Sequence, residues 1–262
     1  MTNKANQDPN LNPAPWPMTL AEVTVMNVDR LRPMCIEQEE APGSWELARQ
    51  RDKFRVRMLS GDPNRRRESS LLIEKMYSWR GYRSHAPLEQ QPNRLTLTAE
   101  FNGHIYGTIT VNVDSPMGLG VDESFPEEIR ALREQGRKLC EIGKFAVEQT
   151  VRSKRLLMTM FHLTYIYAHH LLGCTDLMIE VNPRHALFYL RALHFVRLGR
   201  EQVCHRVGAP AVLLHLECAR AASLLREFGG RWREHPEEKS LYKYGFHPDE
   251  ESAIVARLGK AG

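Results

Sequence analysis

The 262-residue sequence contains no long uninterrupted hydrophobic run. Its most apolar segment, residues 156–172, is slightly too short for a membrane span and includes His162, His169 and His170. Residues 1–17 are polar and proline-rich, and they lack the apolar stretch of a secretory signal. The sequence therefore predicts neither an integral membrane segment nor a secretory signal, and it favours a cytoplasmic location.

Cysteine is scarce and odd in number. Five cysteines occur, at positions 35, 140, 174, 204 and 218. Their spacing matches neither a disulfide framework nor a zinc site. The pattern predicts buried free thiols in a reducing compartment and no bound metal.

Charge is distributed unevenly along the chain. The formal net charge is +4, yet residues 1–50 hold four basic and seven acidic side chains, so the rest of the chain carries the positive excess. A basic body indicates an anionic partner. No nucleic-acid-binding motif is present, and no basic helix is interleaved with aromatic residues, so nucleic acid is not predicted as a partner. An acidic protein or a phosphate-bearing ligand fits the charge equally well.

Composition divides the chain into three parts. Residues 1–45 are predicted to be an extended, partly disordered N-terminal segment. Residues 46–220 are long enough for one α/β domain whose core needs no disulfide or metal. Residues 221–262 are predicted to form a C-terminal helical extension packed on that domain.

Local patterns predict the elements on either side of the centre of the domain. Alternation predicts strands at 54–59, 95–101, 105–113, 202–206 and 211–217, and helical periodicity predicts helices at 68–79, 125–135, 218–228 and 250–258. Asn102-Gly103 is a strong hairpin turn signal between two of the strands.

The central stretch begins at Lys138 with an extended run, KLCEIGKFAVEQ. A long apolar helix follows and ends at Gly173, and a short strand follows from Asp176 to Pro183. A second helix is predicted to end at Gly199. Strand, helix and strand in this order predict a parallel pair joined by a buried crossover helix.

Two motifs in this stretch carry a resemblance to a known family. They are Glu141-Ile-Gly-Lys144-Phe-Ala-Val147 on the first strand and His185-x-x-Phe188-Tyr189-x-Arg191-x-Leu193-x-Phe195 after the second. The region from Phe54 to Glu217 resembles the GNAT acyltransferase fold, most closely the bacterial long-chain N-acyl amino acid synthases and more distantly the acyl-homoserine lactone synthases. The resemblance implies an α/β fold with a central mixed sheet of about seven strands flanked by helices.

The resemblance also implies a reaction. A long fatty acyl chain would pass from acyl carrier protein to the α-amine of an amino acid. No cofactor would be bound, and the donor would arrive on phosphopantetheine, carried by acyl carrier protein or, as the alternative, by coenzyme A. An acyl carrier protein and an amino acid are therefore the expected partners.

In this fold two neighbouring strands separate and leave a cleft, and the resemblance assigns roles around it. Glu141 would accept the proton of the amine, and Tyr189 would protonate the leaving thiolate. The amides of Phe145, Ala146 and Val147 would contact the thioester and its oxyanion. Ordinary structural roles remain open for Glu141, as a surface ion pair at a strand end, and for Tyr189, on the inner face of a helix.

The acceptor side is assigned to Lys144, Tyr77 and Arg80. On a regular strand Glu141 and Lys144 would point to opposite faces, and a bulge at Gly143 would bring them to the same side. Tyr77 also fits a plain position in the core of its helix.

The donor side departs from the usual pattern. In GNAT enzymes small residues at the start of the crossover helix let backbone amides bind pyrophosphate, whereas here the run is Gln149-Thr-Val-Arg152-Ser-Lys154. We expect Gln149, Arg152, Lys154 and Arg155 to dock an acidic acyl carrier protein, although a solvated basic turn is the alternative. Met158, Met160, Phe161 and Tyr165 are predicted to line an acyl pocket, and plain core is their alternative role.

Three other functions stay open at this point. They are an acyl-homoserine lactone synthase, an acetyl-coenzyme A-dependent N-acetyltransferase, and a non-catalytic module that binds acyl carrier protein or lipid. The altered phosphate-binding turn argues against coenzyme A, and Glu141 argues against a module without activity.

Overall fold

The computed structural model describes residues 19–25, 52–59, 61–83, 88, 91, 93–151 and 153–259. Within these residues eight strands form one mixed sheet, in the spatial order β1-β2-β3-β4-β5-β6-β8-β7. The strands are β1 Ala21–Val25, β2 Asp52–Met58, β3 Arg94–Phe101, β4 His104–Val113, β5 Leu139–Val147, β6 Asp176–Val181, β7 Val196–Cys204 and β8 Ala209–Glu217.

Six α-helices flank the sheet in the same described part of the chain. They are α1 Pro63–Ser78, α2 Pro126–Glu134, α3 Lys154–Tyr165, α4 Pro183–Ala192, α5 Cys218–Phe228 and α6 Pro248–Gly259. A π-helical stretch, Ile166–Leu171, continues α3. β5 and β6 are parallel and every other strand pair is antiparallel. The predicted parallel pair with a buried crossover helix is thus confirmed.

The two faces of the sheet bury different helices. Cys140 on β5 belongs to the main core, which also contains side chains of α3, α4, α5 and α6. Its neighbour Leu139 points to the opposite face and packs with Ile129 of α2. Near the other end of β5, Ala146 packs with Met76 of α1. Since α1 and α2 cover only part of this second face, the space between them stays open beside β5 and β6.

Two helix boundaries differ from the prediction. α1 begins five residues earlier, because Asp62 caps it by accepting the Asn64 N–H at 2.9 Å and Pro63 fits the first turn. The helix predicted to end at Gly199 stops at Ala192. His194 adopts a left-handed φ of 58°, and the chain then enters β7. The strand predicted at 202–206 therefore begins earlier, at Val196, and ends at Cys204.

Both ends of the described chain are part of the folded domain. β1 lies within the segment predicted to be extended and partly disordered, and it forms one edge of the sheet by pairing with β2. Arg257 of α6 donates to the Leu20 carbonyl at 2.8 Å, just before β1. Tyr242 and Leu258 belong to the main core. The C-terminal helical region therefore contributes to the core instead of only covering it.

The cysteines follow expectation where the structure describes them. Cys140, Cys174, Cys204 and Cys218 are buried free thiols, whereas Cys35 lies outside the described residues. In the described part of the chain, no helix is both long and apolar enough to cross a membrane.

Candidate active site

A cavity of about 1080 Å³ lies where β5 and β6 separate. The two strands pair only between Leu139–Ile142 and Asp176–Ile179. The next residue on each strand, Gly143 on β5 and Glu180 on β6, lines the cavity wall. Among the residues that the structure describes, no neighbouring strand covers the backbone groups beyond the last pair on this side, so an extended ligand can bond to them. This is the cleft that the sequence predicted.

A bulge was predicted at Gly143, and β5 has one a residue later, centred on Lys144. The pairing with β4 shifts register between Thr108 and Thr110. Lys144 takes a left-handed φ of 47°, a conformation that costs a residue with a Cβ about 1–2 kcal/mol. The Thr108 hydroxyl stabilises it by donating to the Lys144 carbonyl at 2.9 Å. As a result Glu141 and Lys144 both line the cavity.

The bulge also directs two backbone amides into the gap. Thr108 bonds the Lys144 carbonyl on the β4 side, so the N–H of Phe145 in the same trans peptide points away from β4. The Glu148 N–H donates to the Tyr106 carbonyl at 2.8 Å, and alternation along the antiparallel ladder then turns the Ala146 N–H toward β4 and the Val147 N–H away from it. Of the three predicted amides, Phe145 and Val147 therefore point into the gap and Ala146 does not.

Glu141 is almost fully buried beside these amides, with 4% of its surface exposed. Its Oε2 accepts the Gly120 N–H at 2.6 Å and the Val121 N–H at 3.3 Å. Its Oε1 lies 3.5 Å from both terminal nitrogens of Arg206. Burial raises the pKa of Glu141, while Arg206 and the Gly120 amide oppose the rise. The carboxylate is thus a stronger base than an exposed glutamate, and its orientation is fixed.

The sequence analysis missed Arg206 and Glu180. Arg206 lies in the turn between β7 and β8, and its guanidinium bonds the Glu180 carboxylate of β6 while approaching Glu141. Gly120 makes room for it, because a Cβ there would lie 1.9 Å from Nη1 of Arg206. No spacing along the chain relates these residues, and only the sheet order brings them together. The one local signal was a charged residue beside the Gly208 turn.

The predicted acceptor residues lie together on the cavity wall. Tyr77 lies in the last turn of α1, Arg80 follows that helix, and Lys144 lies on β5. Tyr189, predicted as the proton donor, lines the same cavity from α4. The Arg80 guanidinium donates to the Met76 carbonyl at 2.9 Å and lies 5.5 Å from the centroid of the Trp79 ring, and within the described residues no carboxylate pairs with it. Burial lowers its pKa. A carboxylate ligand would restore the partner that the cation lacks in this part of the chain.

The two tyrosines stay protonated at neutral pH. Burial raises the pKa of Tyr77 to about 12 and moves the pKa of Tyr189 further above its ordinary value. Each hydroxyl can therefore donate a hydrogen bond or a proton within the cavity.

The four residues predicted to line an acyl pocket lie in the main core. They are Met158, Met160, Phe161 and Tyr165 of α3, all buried. Within the described residues none of them lines the cavity. Phe161 lies nearest, with its ring centroid 5.3 Å from that of Phe145 and 6.3 Å from that of Tyr189. Apolar cavity wall is supplied instead by β6 and β8, including Val181, Ala209 and Ala211.

The predicted docking turn is only partly described. Its residues are Gln149, Arg152, Lys154 and Arg155, and Arg152 lies outside the described residues. Gln149 is exposed and Arg155 is half-buried. The Lys154 ammonium lies 5.4 Å from the centroid of the Tyr244 ring. Ser153 caps α3 by accepting the Leu156 N–H at 3.1 Å, so a side-chain cap stands where the fold family that the sequence resembles has small residues.

Cations outnumber carboxylates on the cavity wall. The charged lining residues are Arg80, Arg83, Arg94, Lys144, Arg206, Glu141 and Glu180. The five cations exceed the two carboxylates, which both flank Arg206, so the net charge of the wall is positive. Such a cavity suits a ligand that carries a carboxylate or phosphate.

Free strand amides, a buried base and a protonated hydroxyl in one cleft are the groups that acyl transfer to an amine requires. The sheet order and the gap between its parallel strands are those of the GNAT fold, and a solved structure supports this assignment. The chain is similar to FeeM, an N-acyl amino acid synthase from uncultured soil microbes, with 27% identity and a TM-score of 0.60, over 66% of this chain and 94% of that one. The protein is an acyltransferase with the GNAT fold.

A family model identifies the kind of acyltransferase. The model of the N-acyl amino acid synthase FeeM matches residues 68–217, which is more than half of the chain. The chain therefore belongs to the FeeM N-acyl amino acid synthase family. A search of curated proteins found no match.

Two further solved structures match at lower scores. An N-acetyltransferase from Staphylococcus aureus Mu50 is 12% identical with a TM-score of 0.44, over 63% of this chain and 98% of that one. The AHL synthase LasI is 13% identical with a TM-score of 0.45, over 64% of this chain and 91% of that one.

Proposed function

We propose that this protein transfers a long fatty acyl chain from the phosphopantetheine of an acyl carrier protein to the α-amine of an amino acid. The observation that carries the proposal is one cavity that is lined both by the buried carboxylate of Glu141 and by Phe145 of β5, whose amide points away from β4. The similarity to FeeM, an N-acyl amino acid synthase, supports the choice of acceptor and product class.

The donor thioester enters between β5 and β6. The pantetheine amides bond the open edge of β5, and the thioester carbonyl accepts from the N–H groups of Phe145 and Val147. Charge develops on this oxygen as the amine attacks, and donors fixed by the sheet stabilise it without reorganisation. The bulge at Lys144 thus serves to turn the Phe145 amide toward the substrate.

Two side chains move protons in the proposed reaction. The amine attacks in its neutral form, and Glu141 takes the proton that the nitrogen gives up. The C–N bond forms, the C–S bond breaks, and Tyr189 donates its proton to the leaving sulfur. Transfer of the Glu141 proton through water to the tyrosinate restores both groups.

The acceptor amino acid binds at the end of α1. Arg80 and Lys144 line the same cavity as Glu141 and bind the carboxylate of the acceptor, and Tyr77 supplies a neutral hydroxyl. Lysine binds a carboxylate as a point charge instead of through a fork, so Arg80 supplies the more directional contact.

The basic turn before α3 docks the carrier protein. Acyl carrier protein is acidic. In the sequence Gln149 and Arg152 precede α3, and Lys154 and Arg155 are its first two residues. A capped basic turn attracts an acidic protein surface but lacks glycines for a tight pyrophosphate cradle. The acyl chain lies along apolar wall at Val181, Ala209 and Ala211, with the α3 residues Met158, Met160, Phe161 and Tyr165 forming the core behind Phe145.

The donor and the product can be tested in one assay. Purified protein is mixed with amino acids and with either long-chain acyl carrier protein or the matching acyl-coenzyme A, and products are identified by mass spectrometry. We expect N-acyl amino acids from the carrier-protein donor. Absence of an acyl amide with both donors, from folded protein, would refute the function, and a product from acyl-coenzyme A alone would refute the donor.

The docking surface has its own test. Reversal of Arg152, Lys154 and Arg155 to Glu should raise KM for acyl carrier protein about tenfold or more, and the wild-type KM should rise with salt. The control is Arg130→Glu, an exposed reversal on α2. Equal effects of both reversals on KM, or no effect of salt, would show that the carrier binds elsewhere.

A further inference from the structure

Three charged side chains form a cluster at the wall where β5 and β6 separate. The side chains of Glu141 on β5 and Glu180 on β6 are each only 6% exposed. Arg206 reaches between them from the turn before β8 and is 40% exposed. Since β5 and β6 are neighbours, the two carboxylates would lie near each other without a cation between them.

The cation binds its two partners unequally. Nη2 of Arg206 makes a close hydrogen bond with Oε2 of Glu180, whereas its distance to Oε1 of Glu141 is 3.5 Å. The short hydrogen bond of Glu141 comes instead from the Gly120 N–H, at 2.6 Å. Glu180 therefore fixes the position of the guanidinium, and the guanidinium affects Glu141 mainly through its charge.

We propose that Arg206, anchored by Glu180, is a positioning residue that sets the pH at which Glu141 takes up a proton. The inference rests on the proposed role of Glu141 as the base. A buried carboxylate resists ionisation, and a second carboxylate nearby increases that resistance. The guanidinium counters both effects and keeps Glu141 ionised, ready for the proton of the amine.

Other ionisable groups around Glu141 act more weakly. They are Lys144 on β5, Tyr77 on α1, Glu123 after the short 3-10 turn Gly120–Asp122, and Cys204 on β7. Burial raises the pKa values of Tyr77 and Cys204, so both are neutral at pH 7. Glu123 is half-exposed and 3.9 Å from Nε of Arg206. Burial has the largest effect on the pKa of Glu141 and raises it. The Arg206 charge has the next largest effect and lowers the pKa, and the Glu180 charge raises it by less.

Opposite substitutions should therefore have opposite effects. The pH dependence of kcat/KM reports the ionisation of the free enzyme. Arg206→Gln should move the acidic limb of this profile up by about 1–3 pH units. Glu180→Gln removes a like charge, keeps an acceptor for Arg206, and should move the limb down by a smaller amount. Arg206→Lys should return the limb toward its wild-type position, because the charge is restored without the fork.

A second readout does not require activity. The carboxyl band of Glu141 is assigned by difference infrared spectroscopy against Glu141→Gln and titrated in each variant. The midpoint should shift in the same directions as the kinetic limb. Arg200→Gln is the matched control, since Arg200 is an exposed arginine on the same hairpin and does not line the cavity.

The outcomes separate the inference from the function beneath it. Lower rates with an unmoved profile and an unmoved carboxyl midpoint would show that Arg206 is only structural, and shifts of the same sign in both Gln variants would also refute the inference. If the wild type forms no acyl amide, the proposed function fails, yet the infrared titration still decides what Arg206 does to Glu141. If Arg206→Gln does not fold, Glu180→Gln and Arg206→Lys still decide.

Discussion

Glu141→Gln separates the acid–base role of this residue from a structural one. The substitution keeps the shape and removes the basicity, and a general base contributes about 10²–10⁴ in rate. We expect kcat at pH 7 to fall about 10²-fold or more, which corresponds to about 2.7 kcal/mol or more of barrier. The loss should be smaller at pH 9, because more of the amine then arrives without its proton.

The stability of the same variant should move differently. Because burial raises the pKa of Glu141, its ionised form is less favourable in the folded state than in the unfolded state. The folded state is therefore destabilised above the folded-state pKa, where Glu141 is ionised. The destabilisation disappears below the ordinary carboxyl pKa, where Glu141 is protonated in both states. Gln carries no charge, still offers an oxygen to the Gly120 N–H, and leaves Arg206 bonded to Glu180. The Tm at pH 7 should therefore not fall.

The assay combines initial rates at pH 7 and pH 9 with thermal unfolding from pH 4 to pH 8. The difference in Tm between variant and wild type should shrink toward pH 4. Glu22→Gln, which removes an exposed carboxylate paired with Arg55, is the control and should change neither rate nor its pH dependence. Wild-type turnover at pH 7, or a loss of rate matched by a loss of Tm, would make Glu141 a structural residue.

Two further substitutions test the local geometry. Gly120→Ala would place its Cβ 1.9 Å from Nη1 of Arg206, so the acidic limb of the pH profile should move to higher pH, as in Arg206→Gln. Gly61→Ala is the control, because the space around Gly61 is open and the profile should not change. An unchanged profile in Gly120→Ala would contradict the assigned packing. Lys144→Gly and Lys144→Ala should raise KM for the acceptor equally. Urea unfolding should show the Gly variant to be more stable by about 1 kcal/mol, because only Ala keeps the strain of the left-handed conformation. Equal stabilities would mean that the bulge is unstrained.

Local sequence signals predicted the elements that depend on local contacts. The turn at Asn102-Gly103 has the positive φ values, 48° and 83°, that its residue types favour. Periodicity located α5, and the order of elements established the parallel pair. β1 was missed because a five-residue edge strand has little pattern of its own and is defined by its pairing with β2. The end of α4 was missed because Gly199 is a stronger stop signal than His194, where the chain leaves the helix.

Some residues of the candidate site could likewise be predicted from local sequence signals, and others could not. Residues carried on β5, such as Glu141 and Lys144, could be placed from a motif and a bulge signal. Arg206 could not, because it acts through two strands that lie beside it only in the finished sheet. The α3 residues were assigned to an acyl pocket because an apolar helix offers the same pattern whether it lines a cavity or fills a core. The direction in which each side chain packs in the folded structure distinguishes the two, and the sequence does not report it.

The hydrogen bond from Arg257 to the Leu20 carbonyl joins residues 237 positions apart. During synthesis at about 5–20 residues per second, about 12–50 s separate these two residues as they are made. Throughout that interval the nascent chain holds β1 without the helix that anchors it, and β2 has only a short, loosely held strand along its outer edge. The sheet that carries the candidate site therefore reaches its final form late, and the newly made chain passes through a stage in which an unpaired strand edge is open to other partners.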